Sequence, residues 1–228
     1  MDLKHILNKV KKKKPNKKIL VLGEIFEDIF QDVNIVKISQ EAPVMVISPK
    51  KDCKNIYLGG AGNVLNNLLS IGLNANLITL AKTNKIDFLN KKIRSKIKLI
   101  NDNYFQDIKK VRYISGNKHI IRVDHEKNYI LPKKYNLKIK NLLQKKNKKS
   151  NLVIISDYNK GFLTNQNIPL ILSIFNKENK KIFIDSKRPN LEIFKNVFVI
   201  KINNDEACNY FKIKDIYYKS EYKKIYDF

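Results

Sequence analysis

Four short clusters of polar and charged residues follow apolar stretches of this sequence, and their residue types suit contact with a polar ligand. The clusters are Gly23-Glu24 with Asp28, Ser156 to Gly161, Asp185 to Arg188, and Asn203 to Glu206. In open parallel α/β sheets, ligands bind beyond the carboxyl ends of the strands, so four clusters at strand ends predict one shared site. A single polar loop after a strand would be weak evidence, because such loops are usual at protein surfaces.

A glycine-rich turn, Gly59 to Asn63, lies between a β-type stretch and a predicted helix. The backbone N–H groups of Gly59 and Gly60 can approach a hydroxyl-rich or anionic ligand, and the Asn63 side chain can both donate and accept hydrogen bonds. The pattern Gly-x-Gly-x-x-Gly is absent, which argues against a dinucleotide-binding site. A tight turn that caps a helix remains the alternative for this segment.

Hydrophobic periodicity predicts the elements that must position these residues. The later part of the chain alternates strands with helices, a pattern typical of a parallel α/β sheet with helices on both faces. The predicted strands cover residues 18–23, 75–80, 152–156, 181–185 and 197–201, and the predicted helices cover residues 64–71, 135–143 and 166–176.

Two β-rich segments do not fit this parallel sheet. They span about residues 32 to 58 and 110 to 124, and the second contains Gly116-Asn117, a strong hairpin-turn signal. We therefore expect the two segments to form a small separate sheet over one edge of the main sheet. Residues 1 to 17 form a basic N-terminal arm, in which residues 2 to 10 have helical spacing before Pro15.

The charge balance is strongly basic, with 46 Lys and Arg residues against 21 Asp and Glu residues and a formal net charge of +25. A nucleic-acid-binding protein is one interpretation of this charge. The lysines are spread along the whole chain rather than gathered in one stripe, which favours a compositional bias and no specific nucleic-acid partner.

Membrane, secreted and zinc-binding classes find no support in the sequence. The apolar runs are too short to span a bilayer, and the first residues lack the apolar core of a signal peptide. Cys53 and Cys208 have no Cys or His neighbour at metal-ligand spacing, so we expect ordinary thiols. We therefore expect a cytoplasmic protein.

Seven short motifs occur in a fixed order between about residues 18 and 212. They are Gly23-Glu24 with Asp28, Ile38 to Val44, Gly59 to Val64, Gly116 to Asp124, Ser156 to Gly161, Asp185 to Lys187, and Asn203 to Glu206. In this order they resemble the ribokinase-type (PfkB) carbohydrate kinases, above all the bacterial heptose 7-phosphate kinases. The resemblance implies a ribokinase-like α/β fold with a β lid, which in relatives often pairs two subunits.

The resemblance also implies a reaction: the transfer of a phosphoryl group from ATP, with Mg²⁺, to a sugar phosphate on the way to ADP-heptose and the lipopolysaccharide core. It assigns the sugar to Glu24, Asp28, Gly59, Gly60 and Asn63, a sugar phosphate group to Arg122, the ATP phosphates to Lys160 and Lys187, and Mg²⁺ to Asn203 and Glu206. Two alternatives stay open: Arg122 could form a salt bridge with Asp124, and Lys187 with Arg188 could belong to a solvated loop.

The sequence departs from the family pattern at several positions. Glu24 stands where the family has aspartate, Gln40 replaces a proline, and Asn159 replaces a glycine. The family's Gly-Ala-Gly-Asp motif, which supplies the catalytic base, has no counterpart between Glu206 and Phe228. We therefore expect residues 18 to 228 to form an incomplete kinase domain, with the base beyond Phe228 and little activity alone. The alternatives are a non-catalytic sugar-phosphate-binding remnant, or one half of a split kinase whose other half is on another chain.

Overall fold

The computed structural model of the chain describes residues 18–82, 89, 91–147 and 150–213. The strands are β1 (Lys18–Gly23), β2 (Ile25–Ile38), β3 (Met45–Gly60), β4 (Asn74–Ala81), β5 (Ile97–Asn101), β6 (Ile108–Ser115), β7 (Lys118–His125), β8 (Ser150–Asp157), β9 (Lys181–Ser186) and β10 (Val199–Lys201). The helices are α1 (Ala61–Ser70), α2 (Lys91–Arg94), α3 (Asn136–Asn147), α4 (Ile168–Lys177) and α5 (Asn204–Phe211). The predicted N-terminal arm and its helix lie outside the described residues.

The main sheet contains six strands in the order β10-β9-β8-β1-β4-β5. Every neighbouring pair in this sheet is parallel. The carboxyl ends of the strands therefore meet at one edge, where ligands bind in sheets of this kind. The predicted parallel α/β sheet is confirmed.

Strand β1 lies at the centre of the core, and its side chains alternate between two apolar layers. Leu20 and Leu22 are buried in the larger layer, which α3 and α4 cover with residues such as Phe175. Ile19 and Val21 are buried in the smaller layer, which α1 covers. Because both faces of the sheet are apolar, helices must pack on both sides of it, as the strand–helix alternation predicted.

A second sheet of four strands, the lid, has the order β3-β2-β6-β7. Strands β2 and β6 are parallel, whereas the β2–β3 and β6–β7 pairs are antiparallel. The two β-rich segments thus lie together in one sheet apart from the main sheet. Strand β2 begins earlier than predicted because Ile25 pairs with Gly60, a contact that the charged residues after Ile25 do not reveal.

The described residues also bear on two expectations, which concern membrane-spanning helices and the state of the cysteines. No helix among them is both long enough and apolar enough to cross a membrane. Cys53 and Cys208 are free thiols, as expected.

Candidate functional site

A cleft of about 790 Å³ opens between the lid and the start of helix α1. Five of the residues that the sequence singled out line it: Asp28, Gly59, Gly60, Asn63 and Arg122. The structure adds aromatic and basic side chains to the lining, namely Phe26, Phe30, Tyr57, Lys110, Arg112 and Tyr158. The cleft therefore combines hydroxyl-binding groups with cations and apolar rings.

The polar side chains of the cleft share one face of the lid because of strand register. Asp28 is paired with Lys110 on β6, and Lys110 is paired with Asp124 on β7. Two residues further along β6, Arg112 is paired with Arg122. Successive residues of a strand point to opposite faces, so these alternate positions all project to the same side.

The turn Gly59-Gly60 brings the backbone close to the cleft floor. A Cβ on Gly59 would lie 2.3 Å from the Phe26 ring, and a Cβ on Gly60 would lie 2.4 Å from the carbonyl oxygen of Glu24. Gly60 has a φ of 61°, in the left-handed region that favours glycine. The turn interpretation and the ligand interpretation of this segment are compatible, because Gly59 and Gly60 end β3, lead into α1 and also line the cleft.

Asp28 forms an ion pair with Arg112, a residue that the sequence reasoning missed. Arg112 Nε donates to Asp28 Oδ1 at 2.8 Å, and Nη2 donates to Oδ2 at 3.4 Å. The pair fixes the orientation of the Asp28 carboxylate at the cleft wall. The available signal was the alternation of Lys110, Val111 and Arg112 in a predicted strand, which places both cations on one face.

Arg122 is paired with Asp124 and also lines the cleft. Its Nε donates to Asp124 Oδ1 at 2.8 Å and its Nη2 to Oδ2 at 3.2 Å, while Lys110 Nζ lies 3.3 Å from Asp124 Oδ2. Burial acts to raise the pKa of Asp124, but Lys110 and Arg122 together hold that pKa below its usual value. The salt-bridge alternative for Arg122 therefore describes this structure.

Glu24 does not line the cleft, contrary to its predicted contact with the sugar. Its buried carboxylate accepts hydrogen bonds from the backbone N–H groups of Tyr158, Lys160 and Phe162, at 3.0, 3.3 and 3.2 Å. Burial, followed by the charge of Asp157, raises the pKa of Glu24 to about 7. The side chain is long enough to reach the loop after β8, and this reach turns it away from the lid.

Asp157 and Arg188 form a buried ion pair at the end of β8. Arg188 Nε lies 2.5 Å from Asp157 Oδ2, and the Ser186 hydroxyl donates to the same oxygen at 3.1 Å. The Asp157 side chain is 0% exposed and that of Arg188 is 10% exposed. The solvated-loop alternative is therefore wrong for Arg188, which ties the loops after β8 and β9 together.

The residues predicted to bind ATP and Mg²⁺ follow the ends of β8, β9 and β10, which are neighbours in the main sheet. Both lysines among them form ion pairs with carboxylates. Lys160 Nζ lies 2.5 Å from Glu126 Oε1, and Lys187 Nζ forms an ion pair with Glu206. The hydrogen bond from Lys187 counters the effect of burial and lowers the pKa of Glu206.

Asn203 and Glu206 form a capping box at the start of α5, with reciprocal hydrogen bonds of 2.8 Å. Within the described residues, no group of three or more His, Cys, Asp and Glu residues is arranged for a metal ion. The roles of Lys160, Lys187, Asn203 and Glu206 toward ATP and Mg²⁺ stay predictions.

Comparison with known proteins identifies relatives for most of the chain. It is 34% identical over 200 residues to the bifunctional protein HldE of Aliarcobacter butzleri, a match that covers 86% of this chain and 41% of that protein. The chain thus spans about two fifths of the length of this curated relative. No protein-family model matches the sequence.

Solved structures show the fold. Escherichia coli phosphofructokinase-2 with fructose-6-phosphate has a TM-score of 0.67 at 11% identity, over 91% of this chain and 68% of that one. Arabidopsis thaliana ribokinase with ribose and ATP has a TM-score of 0.60 at 9% identity, over 92% and 68%. The fold is therefore ribokinase-like, as predicted.

Proposed function

We propose that this homologue of the HldE proteins, which shares its fold with carbohydrate kinases, binds a sugar phosphate and serves in its phosphorylation by ATP. The observation that carries the proposal is the cleft, where Asp28 and three cations of the lid meet the turn at Gly59 and Gly60. Carboxylate and backbone groups suit sugar hydroxyls, and the cations suit a phosphate group.

The sugar is held, on this proposal, between the lid and the turn. The Asp28 carboxylate accepts hydrogen bonds from hydroxyl groups while Arg112 keeps it in place. Asn63 is exposed beside the turn and can donate to or accept from a further hydroxyl group. Phe26, Phe30 and Tyr57 offer apolar faces to the carbon atoms of the ring.

The nucleotide end of the proposed site lies at the ends of β8, β9 and β10. Phosphoryl transfer depends mostly on positioning and on neutralising the charge of the moving group. Lys160 and Lys187 are the proposed cations for the ATP phosphates. Asn203 and Glu206 carry oxygen atoms of the kind that Mg²⁺ binds, so the donor chemistry fits the ion. Binding at Glu206 would require its release from Lys187.

The proposed substrate is heptose 7-phosphate, which the motif resemblance favours. The sequence contains no Gly-x-Gly-Asp segment. A positioned general base commonly contributes about 10²–10⁴-fold to such reactions. We therefore propose that the polypeptide of residues 1 to 228, assayed alone, binds the sugar phosphate with turnover well below about 1 s⁻¹. In that form it would act as a binding protein or as one part of a kinase.

A homodimer formed through the lid is part of the proposal. Apolar side chains at the tips of β2 and β3 are exposed: Ile35, Val36, Ile38, Val44 and Met45, at 49–69% of their surface. Several exposed apolar side chains at one end of the lid favour association with another protein surface. A cytoplasmic location agrees with the proposed nucleotide and sugar phosphate ligands.

Calorimetry with heptose 7-phosphate tests the proposal. Asp28→Ala should weaken binding by about 1–3 kcal/mol, because it leaves hydroxyl groups of the ligand and the Arg112 guanidinium without a partner. The matched control is Glu27→Ala, since Glu27 lies on the opposite face of β2 and pairs with Lys109 at 3.4 Å. Equal affinities for wild type and Asp28→Ala would remove Asp28 from the site. ADP release with Mg·ATP at or above about 1 s⁻¹ would contradict the proposed low turnover.

A further inference from the structure

The lid places two arginines directly opposite each other on its cleft face. Arg112 of β6 and Arg122 of β7 are register partners in an antiparallel pair. Side chains at such positions have Cβ atoms about 4.5–5.5 Å apart, and like charges there are destabilising. Lys110, two residues before Arg112, adds a third cation to the same face. This concentration of positive charge needs a counter-charge.

Two carboxylates supply that counter-charge in the structure. The Asp28 carboxylate accepts hydrogen bonds from Nε and Nη2 of Arg112, and the Asp124 carboxylate accepts from the same two atoms of Arg122. Asp124 is also shared with Lys110. Within the residues that the structure describes, the Nη1 groups of Arg112 and Arg122 have no hydrogen-bond partner. Three cations are thus held by two carboxylates, and donor capacity is left over.

Asp124 and Asp28 lie on different kinds of strand in the lid, and this affects how easily each carboxylate can separate from its arginine. Asp124 lies on β7, the edge strand of the lid, although its side chain, at 25%, is about as exposed as that of Asp28, at 22%. Arg122, which it holds, is 51% exposed. Asp28 lies instead on β2, between two neighbouring strands. A ligand that enters the cleft can therefore replace Asp124 at Lys110 and Arg122 without disturbing a central strand.

We infer that the Asp124 carboxylate is an internal stand-in for the phosphate group of the ligand, holding Arg122 and Lys110 in the empty cleft and yielding them when a phosphoryl group binds. The inference rests on the proposed function and deepens it, because it names the residue that discriminates a phosphorylated sugar from a free one. A phosphate monoester carries about −1.5 to −2 charges at pH 7 and three acceptor oxygens. It exceeds one carboxylate in both respects, so it can take both cations and the free Nη1 groups.

A free sugar lacks the charge to make this exchange. Its hydroxyl groups are neutral, so they carry no negative charge that could replace the Asp124 carboxylate between Lys110 and Arg122. Arg122 therefore stays with Asp124 when a free sugar enters the cleft. Asp124 thus acts as a specificity-determining residue, because an anionic ligand can displace it from Arg122 and Lys110 and a neutral ligand cannot.

The test measures the affinity of Asp124→Asn for heptose 7-phosphate and for the free heptose by calorimetry. The variant should bind heptose 7-phosphate at least about tenfold more tightly than wild type, because the internal competitor for a charge-assisted contact is gone. Its affinity for the free heptose should not change. The control is Glu27→Gln, which removes the same charge from the opposite face and should leave both affinities unchanged. Unchanged or weaker binding of heptose 7-phosphate to Asp124→Asn would overturn the inference.

A second variant keeps the inference testable if Asp124→Asn does not fold. Arg122→Gln should weaken heptose 7-phosphate binding about tenfold or more and leave free heptose binding unchanged. An equal loss for both ligands would overturn the inference.

Inorganic phosphate separates failure of the inference from failure of the proposed substrate. If wild type does not bind heptose 7-phosphate, the proposed function fails. Phosphate should still raise the Tm of Asp124→Asn more than that of wild type, relative to chloride at equal ionic strength. An equal rise of Tm in the two proteins would overturn the stand-in role of Asp124, whatever the outcome for the proposed substrate.

Discussion

Glu24 Oε1 accepts a hydrogen bond from the backbone N–H of Phe162 at 3.2 Å, although the two residues are 138 positions apart. The same carboxylate accepts from Tyr158 and Lys160, so the end of β1 is joined to the loop after β8. This loop carries Lys160 and borders the cleft through Tyr158. Glu24 therefore positions parts of the candidate site without lining it.

Glu24→Ala should destabilise the chain by about 3 kcal/mol, because it leaves one buried and two partly buried N–H groups without an acceptor. The measurement is the urea midpoint of unfolding at constant m-value. Glu41→Ala is the control: Glu41 is exposed, and such substitutions usually change stability by less than about 0.5 kcal/mol. A similar small change for Glu24→Ala would show that water can replace Glu24 as the hydrogen-bond acceptor for these N–H groups.

The raised pKa of Glu24 gives the chain a pH dependence of stability. The pKa is about 7 in the folded chain against 4.5 for the ordinary group, so the folded state holds the proton more tightly. The stabilising contribution is complete below pH 4.5 and is lost as the pH rises through about 7. The free energy of unfolding should fall by up to about 3 kcal/mol across this window.

Urea unfolding at about pH 5 and about pH 8 measures this change. Glu24→Gln cannot titrate, so its stability should vary less between these conditions. If the variant and wild type share one pH profile, another group causes the dependence.

The capping box of α5 and the proposed Mg²⁺ site can be separated by mutation. Asn203→Ala should cost about 1 kcal/mol of stability in the absence of Mg²⁺, because it removes an N-cap. Glu206→Gln should abolish any rise of Tm produced by Mg²⁺ in the presence of ATP. Asp205→Asn, an exposed neighbour, should retain that rise. A persisting rise in Glu206→Gln would exclude Glu206 as a magnesium ligand.

Gly161 should tolerate alanine poorly. Its φ is +100°, and an added Cβ would lie 2.1 Å from the carbonyl oxygen of Tyr129. Gly116 has a φ of +58° with open space around it, so Gly116→Ala should cost only the left-handed backbone strain of about 1–2 kcal/mol. Thermal unfolding of the two variants provides the comparison. A smaller loss of Tm for Gly161→Ala than for Gly116→Ala would contradict the expectation.

The main sheet was predictable where its strands are apolar on both faces. Residues 19–22 and 152–155 are unbroken apolar runs, and both lie in central strands. Strand β5 was missed because Lys98 interrupts a short run and the strand lies at the sheet edge. Only its pairing with β4 makes it a strand, and a contact between distant segments leaves little trace in local sequence.

The site was predictable for residues whose backbone position fixes their role. Gly59, Gly60 and Asp28 all border the cleft, and their contact with a sugar stays a prediction. Glu24 was misplaced because one added methylene lets its side chain reach a loop that the sequence does not locate. The partners of Lys160 and Lys187 were missed for the same reason, since each ion pair joins segments far apart in the chain.

The regular alternation of β2 between Ile25 and Gln31 limits how this protein can change over evolutionary time. Asp28 and Glu27 are adjacent acids, yet one faces the cleft and the other pairs with Lys109 on the far side. A substitution at either position alters one contact. Loss of a single residue between β1 and Asp28 would exchange the two faces along the rest of the strand. Length in this stretch should therefore be preserved more strictly than residue identity.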